Sequence, residues 1–170
     1  MSDLIGIQLP ENFKKPLRSP TLSIFWERWH ITLTQWFRSY YFNPLTRSFK
    51  KKVKSFNPNM LLSFMQISTM VLIGLWHGIS NNFLIWGIWI GIGLFLQNKA
   101  TAFFSKRSKN NLPLWKQSKI FMFGSISITI IYVSLGWIWF TLSSIESSIR
   151  VFQILFGLWW KITYQTHPLI

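Results

Sequence analysis

The sequence has no cysteine in 170 residues and only four acidic side chains, Asp3, Glu11, Glu27 and Glu146. The first absence excludes disulfides, thiolate-ligated zinc and a cysteine nucleophile. The second leaves few carboxylates for acid–base work, and three scattered histidines offer no ligand spacing, so no metal site is expected. Charged residues of both signs make up 13% of the chain, roughly half the share usual in soluble proteins. What is abundant is apolar: 49% of residues are hydrophobic and 18% aromatic, with eleven Trp and sixteen Phe. That is a membrane protein's profile and not a soluble globule's, and with the long apolar segments of the chain it predicts an all-α polytopic membrane protein.

The net charge of +14 has two readings, nucleic acid or anionic membrane surface. The cations sit in blocks between apolar runs, at residues 47–54 (RSFKKKVK) and 99–119, which is the positive-inside pattern, with juxtamembrane Lys and Arg marking the cytoplasmic side of a multi-pass protein. No nucleic-acid motif accompanies the charge. The first twenty residues carry Pro10, Pro16 and Pro20 and lack the basic start, apolar core and cleavage site of a signal peptide, so they read as an irregular lead-in.

The whole chain, 1–170, reads as a single membrane domain. Residues 21–43 place Phe25, Trp26, Trp29, Leu33, Trp36, Phe37 and Tyr40 at three- and four-residue steps, which predicts one amphipathic helix at the headgroup boundary or in a groove between helices, ended by Asn43-Pro44. Residues 60–79 are long enough to span a bilayer, and 83–96 form a shorter apolar arm. Together 60–97 predict a helical hairpin with its apex within the membrane, and 120–142 a further transmembrane helix; residues 149–160 read as an interfacial or truncated piece. The expected total is about three transmembrane or re-entrant helices plus interfacial amphipathic ones.

Within the hairpin His77 stands in LIGLWHGISNNFLIW, residues 72–86. An ionisable group at bilayer depth is costly unless paired, solvated or facing a cavity, so it marks a candidate site; the plain alternative is a neutral imidazole bonded between helices. A continuous helix would put Gln66, Ile73, His77 and Asn81 near one stripe and give the imidazole polar neighbours. With no thiol and few carboxylates, histidine is nearly the sole general base on offer.

Two stretches, FWERWHITLTQWFRSYYFNPL at 25–45 and LWHGISNNFLIWG at 75–87, resemble the two hallmark segments of the membrane-bound O-acyltransferase family, in its bacterial branch of alginate O-acetylases and D-alanyl transfer proteins. The resemblance extends to the LPENF lead-in (9–13) and to LGWIWF (135–140). It implies transfer of an acyl group, acetyl being the first expectation, from a donor on the cytoplasmic side, acyl-CoA or an acyl carrier protein serving as co-substrate with no tightly bound cofactor. The acceptor would be a hydroxyl of an exported polysaccharide or similar polyol. It also implies His77 as the catalytic histidine, read here as general base, and His30 as a second functional position that orients the acceptor or lines a tunnel. Arg28 and Arg38 become candidates for an anionic donor, or else snorkelling cations. Asn81 and Asn82 become candidate oxyanion donors, or else turn residues. Trp26, Trp29, Trp36 and Trp76 read as packing or interface anchors.

Two features depart from the family pattern. Ser39 stands where relatives often carry an acidic residue in an R-D-Y element, which removes a charge partner for Arg38, and Glu27 replaces a frequent basic residue. Relatives also carry many transmembrane helices before the first motif, so an N-terminal companion chain is expected to complete the tunnel. The competing expectation is a catalytically incomplete fragment or non-enzymatic assembly subunit. A cationic, lipid-disrupting protein would explain the charge but not the two motif segments.

Overall fold

The computed structural model describes residue 6 and residues 9–52, 58–107 and 118–157; the solvated tail position expected of His167, the end of the 149–160 piece and the parts of the cationic blocks at 53–54 and 108–117 lie outside the described residues. Among the described residues seven α-helices follow one another: α1 Leu22–Arg28, α2 Ile31–Phe37, α3 Asn43–Lys52, α4 Pro58–His77, α5 Asn81–Arg107, α6 Lys119–Thr141 and α7 Ile145–Leu155. Among the described residues there is no named strand, only one isolated antiparallel bridge, Phe13 with Trp29. Stretches of α4, α5 and α6 (Asn59–His77, Asn81–Phe104 and Lys119–Thr141) are long and apolar enough to cross a membrane.

The three long helices form an antiparallel set held by close approach at glycines. Gly87 and Gly91, spaced four apart on α5, sit against the α4 backbone: a Cβ on Gly87 would lie 2.6 Å from Cα of Val71, and one on Gly91 would lie 2.9 Å from Cα of Ile67. Small residues at this spacing let helices approach where lipid offers no hydrophobic drive for association. On its other side α5 meets α6 through a reciprocal lock. Trp89 and Tyr132 stack at 5.0 Å, the Trp89 indole N–H donates to the Tyr132 carbonyl at 3.2 Å, and the Tyr132 hydroxyl donates to the Trp89 carbonyl. Antiparallel order puts the start of α4, the end of α5 and the start of α6 at one end of the bundle. That end carries the cations of α3 (Arg47, Lys50, Lys51 and Lys52) together with Lys99 and Lys119.

Three expectations are corrected. The return arm of the hairpin is not short: α5 runs 27 residues, past Lys99 to Arg107, because a helix already anchored by α4 can carry cationic side chains out to the boundary. The single amphipathic helix of 21–43 is broken at Trp29-His30, and of the two placements expected for it α1 takes the groove between helices. Its Leu22, Phe25 and Trp26 are buried in the core with Met70, Ile73, Trp86, Ile90, Leu94 and Val133. Nor does Asn43-Pro44 end the second half. A π-helical turn, Arg38–Phe42, intervenes, and the Asn43 N–H reaches the Arg38 carbonyl five residues back. The wider turn draws the preceding carbonyls away from the proline ring, so α3 continues through Pro44.

Candidate active site

α1 is only seven residues long, too short to persist unaided; its cap Thr21 accepts from the Ile24 N–H, and the first two N–H groups are satisfied from another helix. Gln97 of α5 accepts from the main-chain N–H groups of Leu22 (2.7 Å) and Ser23 (3.3 Å) and donates to the Ser23 hydroxyl (2.8 Å). From there α1 runs along α5 until Trp26 meets Trp86 edge-to-face at 5.7 Å and Trp29 meets Trp137 of α6 at 5.3 Å. His30 follows at the tip, in the left-handed region with φ 49° and ψ 53°, and α2 begins.

His77 ends α4. Gly78 and Ser80 turn the chain into α5, and a side chain at Gly78 would collide with the Phe83 ring that covers the turn. The expected polar stripe is therefore absent: Asn81 opens the next helix, Gln66 accepts from the Asn98 amide at 2.7 Å, and the imidazole instead meets Trp76 and Phe140 at 4.8 Å and Trp86 at 6.1 Å. On its remaining side His77 is exposed.

His30 and His77 line one cavity of about 120 Å³, walled by Trp26, Trp86, Trp137 and Phe140. The two histidines, from segments far apart in sequence, thus share one aromatic chamber. A second cavity of about 190 Å³ shares Trp26, Thr34 and Ile73 with the first and extends to Gln66, Thr69, Glu27 and Arg38. The two cavities adjoin at Trp26, Thr34 and Ile73, with imidazoles lining one and a guanidinium lining the other, groups that can hold a reacting hydroxyl and an anion respectively.

The other sequence candidates separate. Arg38 lines the second cavity, with the Glu27 carboxylate 3.8 Å away. The partner that Ser39 does not offer is thus supplied by Glu27, one helix earlier, although both side chains are more than half exposed and the pair contributes little stability. Arg28 donates to the Arg18 carbonyl at 3.4 Å and lines neither of these two cavities. Asn81 is exposed at the start of α5. Asn82 is buried, and its amide donates to the Leu142 carbonyl (2.7 Å) and the Ser148 hydroxyl (3.3 Å), tying α5 to the end of α6 and the first turn of α7. Neither asparagine lines the histidine chamber. Of the four tryptophans read as packing or interface anchors, Trp26 and Trp29 pack into the core and Trp36 and Trp76 are more than half exposed.

Sequence reasoning missed Asn12, which accepts from both the N–H and the hydroxyl of Thr32 and so caps α2 from outside. Its place in the LPENF lead-in was the available signal.

The chain is 31% identical over 154 residues to a probable alginate O-acetylase of Pseudomonas syringae pv. tomato, covering 91% of this chain and 26% of that protein. It is 30% identical over 153 residues to a peptidoglycan O-acetyltransferase of Helicobacter pylori, covering 90% and 26%. It is 37% identical over 98 residues to a teichoic acid D-alanyltransferase of Streptococcus thermophilus, covering 58% and 24%. The chain therefore spans about a quarter of the length of these curated relatives. Residues 1–144 match the membrane-bound O-acyltransferase family as a whole, and the chain belongs to that family.

Proposed function

We propose that this chain carries the histidine chamber of a membrane O-acyltransferase that acylates a hydroxyl of an exported polysaccharide or similar polyol. The observation that carries the reading is the convergence of His30 and His77 on one cavity. In the proposed reaction neutral His77 takes the proton of the acceptor hydroxyl, and the oxygen bonds to the carbonyl carbon of a donor thioester. The C–S bond then breaks and the imidazolium returns its proton to the leaving sulfur. His30 orients the acceptor. Arg38, at the far end of the adjoining cavity, suits the phosphate of an acyl-CoA or of an acyl carrier protein's prosthetic arm. An acetyl donor fits the names of two of the relatives, which are O-acetylating proteins.

The cationic end of the bundle supports a multi-pass arrangement in the cell membrane with that end cytoplasmic. Ile79, 98% exposed, and Trp76, 58% exposed, flank His77, which supports a companion set of helices closing the chamber. The same exposure favours a second reading, an assembly subunit that is catalytically incomplete alone. One experiment separates the two. Membranes containing this chain with its companion helices are assayed for acyl transfer, and His77→Ala is expected to lower the rate about 10²-fold or more, the scale of a lost general base. An unchanged rate would remove His77 from the chemistry and leave the assembly reading.

A further inference from the structure

His30 is one of two described non-glycine residues with positive φ, and its side chain makes no capping bond to α2. A left-handed conformation at a non-glycine residue is disfavoured, so something outside the helix pair has to impose it. The lead-in does so at three adjacent points. The Asn12 carbonyl accepts the Ile31 N–H at 3.0 Å, and the Asn12 side-chain oxygen accepts the Thr32 N–H at 3.0 Å and the Thr32 hydroxyl at 2.6 Å. The Lys14 N–H donates to the Arg28 carbonyl at 3.0 Å. Between them Phe13 bridges Trp29, with its ring 5.0 Å from the Trp29 ring and 5.5 Å from the imidazole of His30. The contacts fall on both sides of His30, binding the last residue of α1 and the first two of α2. The Nδ1 atom of His30 is sealed from solvent without a hydrogen-bond partner, so packing and backbone, not a bond to the ring, fix its direction.

We propose that Asn12, with Phe13 beside it, is a positioning residue that holds His30 in the left-handed turn and aims its imidazole into the chamber shared with His77. This rests on the acyl-transfer reading only for its consequence on rate; the placement of the ring stands apart from it. The side-chain oxygen of Asn12 acts solely as an acceptor here, so a carboxylate can replace it and an alkyl group cannot.

The test uses the full chain in its membrane assembly, with histidine labelled at 13Cε1. The sequence has three histidines, so single substitutions assign the signals. In Asn12→Leu the His30 signal is expected to move toward that of a free imidazole as it leaves the Phe13 and Trp29 rings, while Asn12→Asp keeps it in place. In the same preparations kcat should fall about 10- to 100-fold in Asn12→Leu with KM little changed, and recover in Asn12→Asp, as expected for a reacting geometry displaced by a fraction of an ångström or more. If Asn12→Leu does not accumulate, Thr32→Val removes the 2.6 Å bond alone and should move the His30 signal in the same direction. A His30 signal unmoved in the variant that accumulates overturns the proposal, as does an Asn12→Asp protein that behaves like Asn12→Leu. If the ring moves but the unsubstituted assembly transfers no acyl group, the clasp stands and the acyltransferase reading falls.

Discussion

At the residue scale the chain separates chemistry from scaffolding in ways that residue type alone does not foretell. Asn82 has the donor group an oxyanion site needs, yet its amide is spent on the Leu142 carbonyl and the Ser148 hydroxyl, both beyond the chamber. Asn82→Ala would leave that carbonyl and that hydroxyl short of a buried donor, and is expected to cost about 1–3 kcal/mol of stability. Thermal unfolding in detergent measures it. Asn82→Asp should not rescue, because a carboxylate cannot donate to a carbonyl, and a rescue would show that the bond to Leu142 carries no weight. Arg38 tells the converse story. From sequence it lacks a partner at position 39, and in space it finds Glu27, because the break at His30 lets the second motif helix turn back beside the first. A partner on another helix is invisible to reasoning along one face of one helix.

At the element scale the long apolar helices were legible because a run of about twenty apolar residues has few other fates. The break in the first motif was not. The three- and four-residue steps from Phe25 to Tyr40 continue through Trp29 and His30 unaltered, so periodicity reports one helix where there are two. The signal that breaks it, Asn12, lies twenty residues from its partner Thr32. The π turn at Arg38–Phe42 is silent in the same way, since Pro44 looks like a stop when nothing announces a widened turn. The glycines on α5 carry the clearest consequence. Gly87→Leu would drive a side chain into the Val71 and Met70 backbone, which cannot yield as a side chain can. It is expected to separate α4 from α5, seen as proteolytic sensitivity in the membrane and loss of the folded species. The same change at Gly124, which faces open space, should be tolerated.

At the scale of the whole molecule, the basic block of α3 and the chamber lie toward opposite ends of the α4–α5 hairpin: α3 joins the start of α4, and His77 is its last residue. Absence of cysteine makes the orientation directly measurable. Ser118→Cys, at the head of α6, and Ser143→Cys, just beyond its end, are both exposed positions. A membrane-impermeant maleimide is expected to label Ser118→Cys from the cytoplasmic face and Ser143→Cys from the opposite face. The reverse pattern would place the basic end outside and undo the proposed direction of transfer. Hydropathy and charge made this arrangement readable in outline, and the motif segments made His30 and His77 readable as candidates. Their meeting depends on α1 lying between α4, α5 and α6, which no local pattern encodes.

The Gln97 bonds to Leu22 and Ser23 have a bearing on the order of events at the ribosome. Gln97 is made 75 residues after Leu22, a delay of roughly 4–15 s at ordinary elongation rates. Until it arrives, a seven-residue helix has only its own Thr21 cap, which accepts the Ile24 N–H at 3.3 Å, to hold its first turn. The segment bearing His30 is thus expected to settle only after α5 has been made.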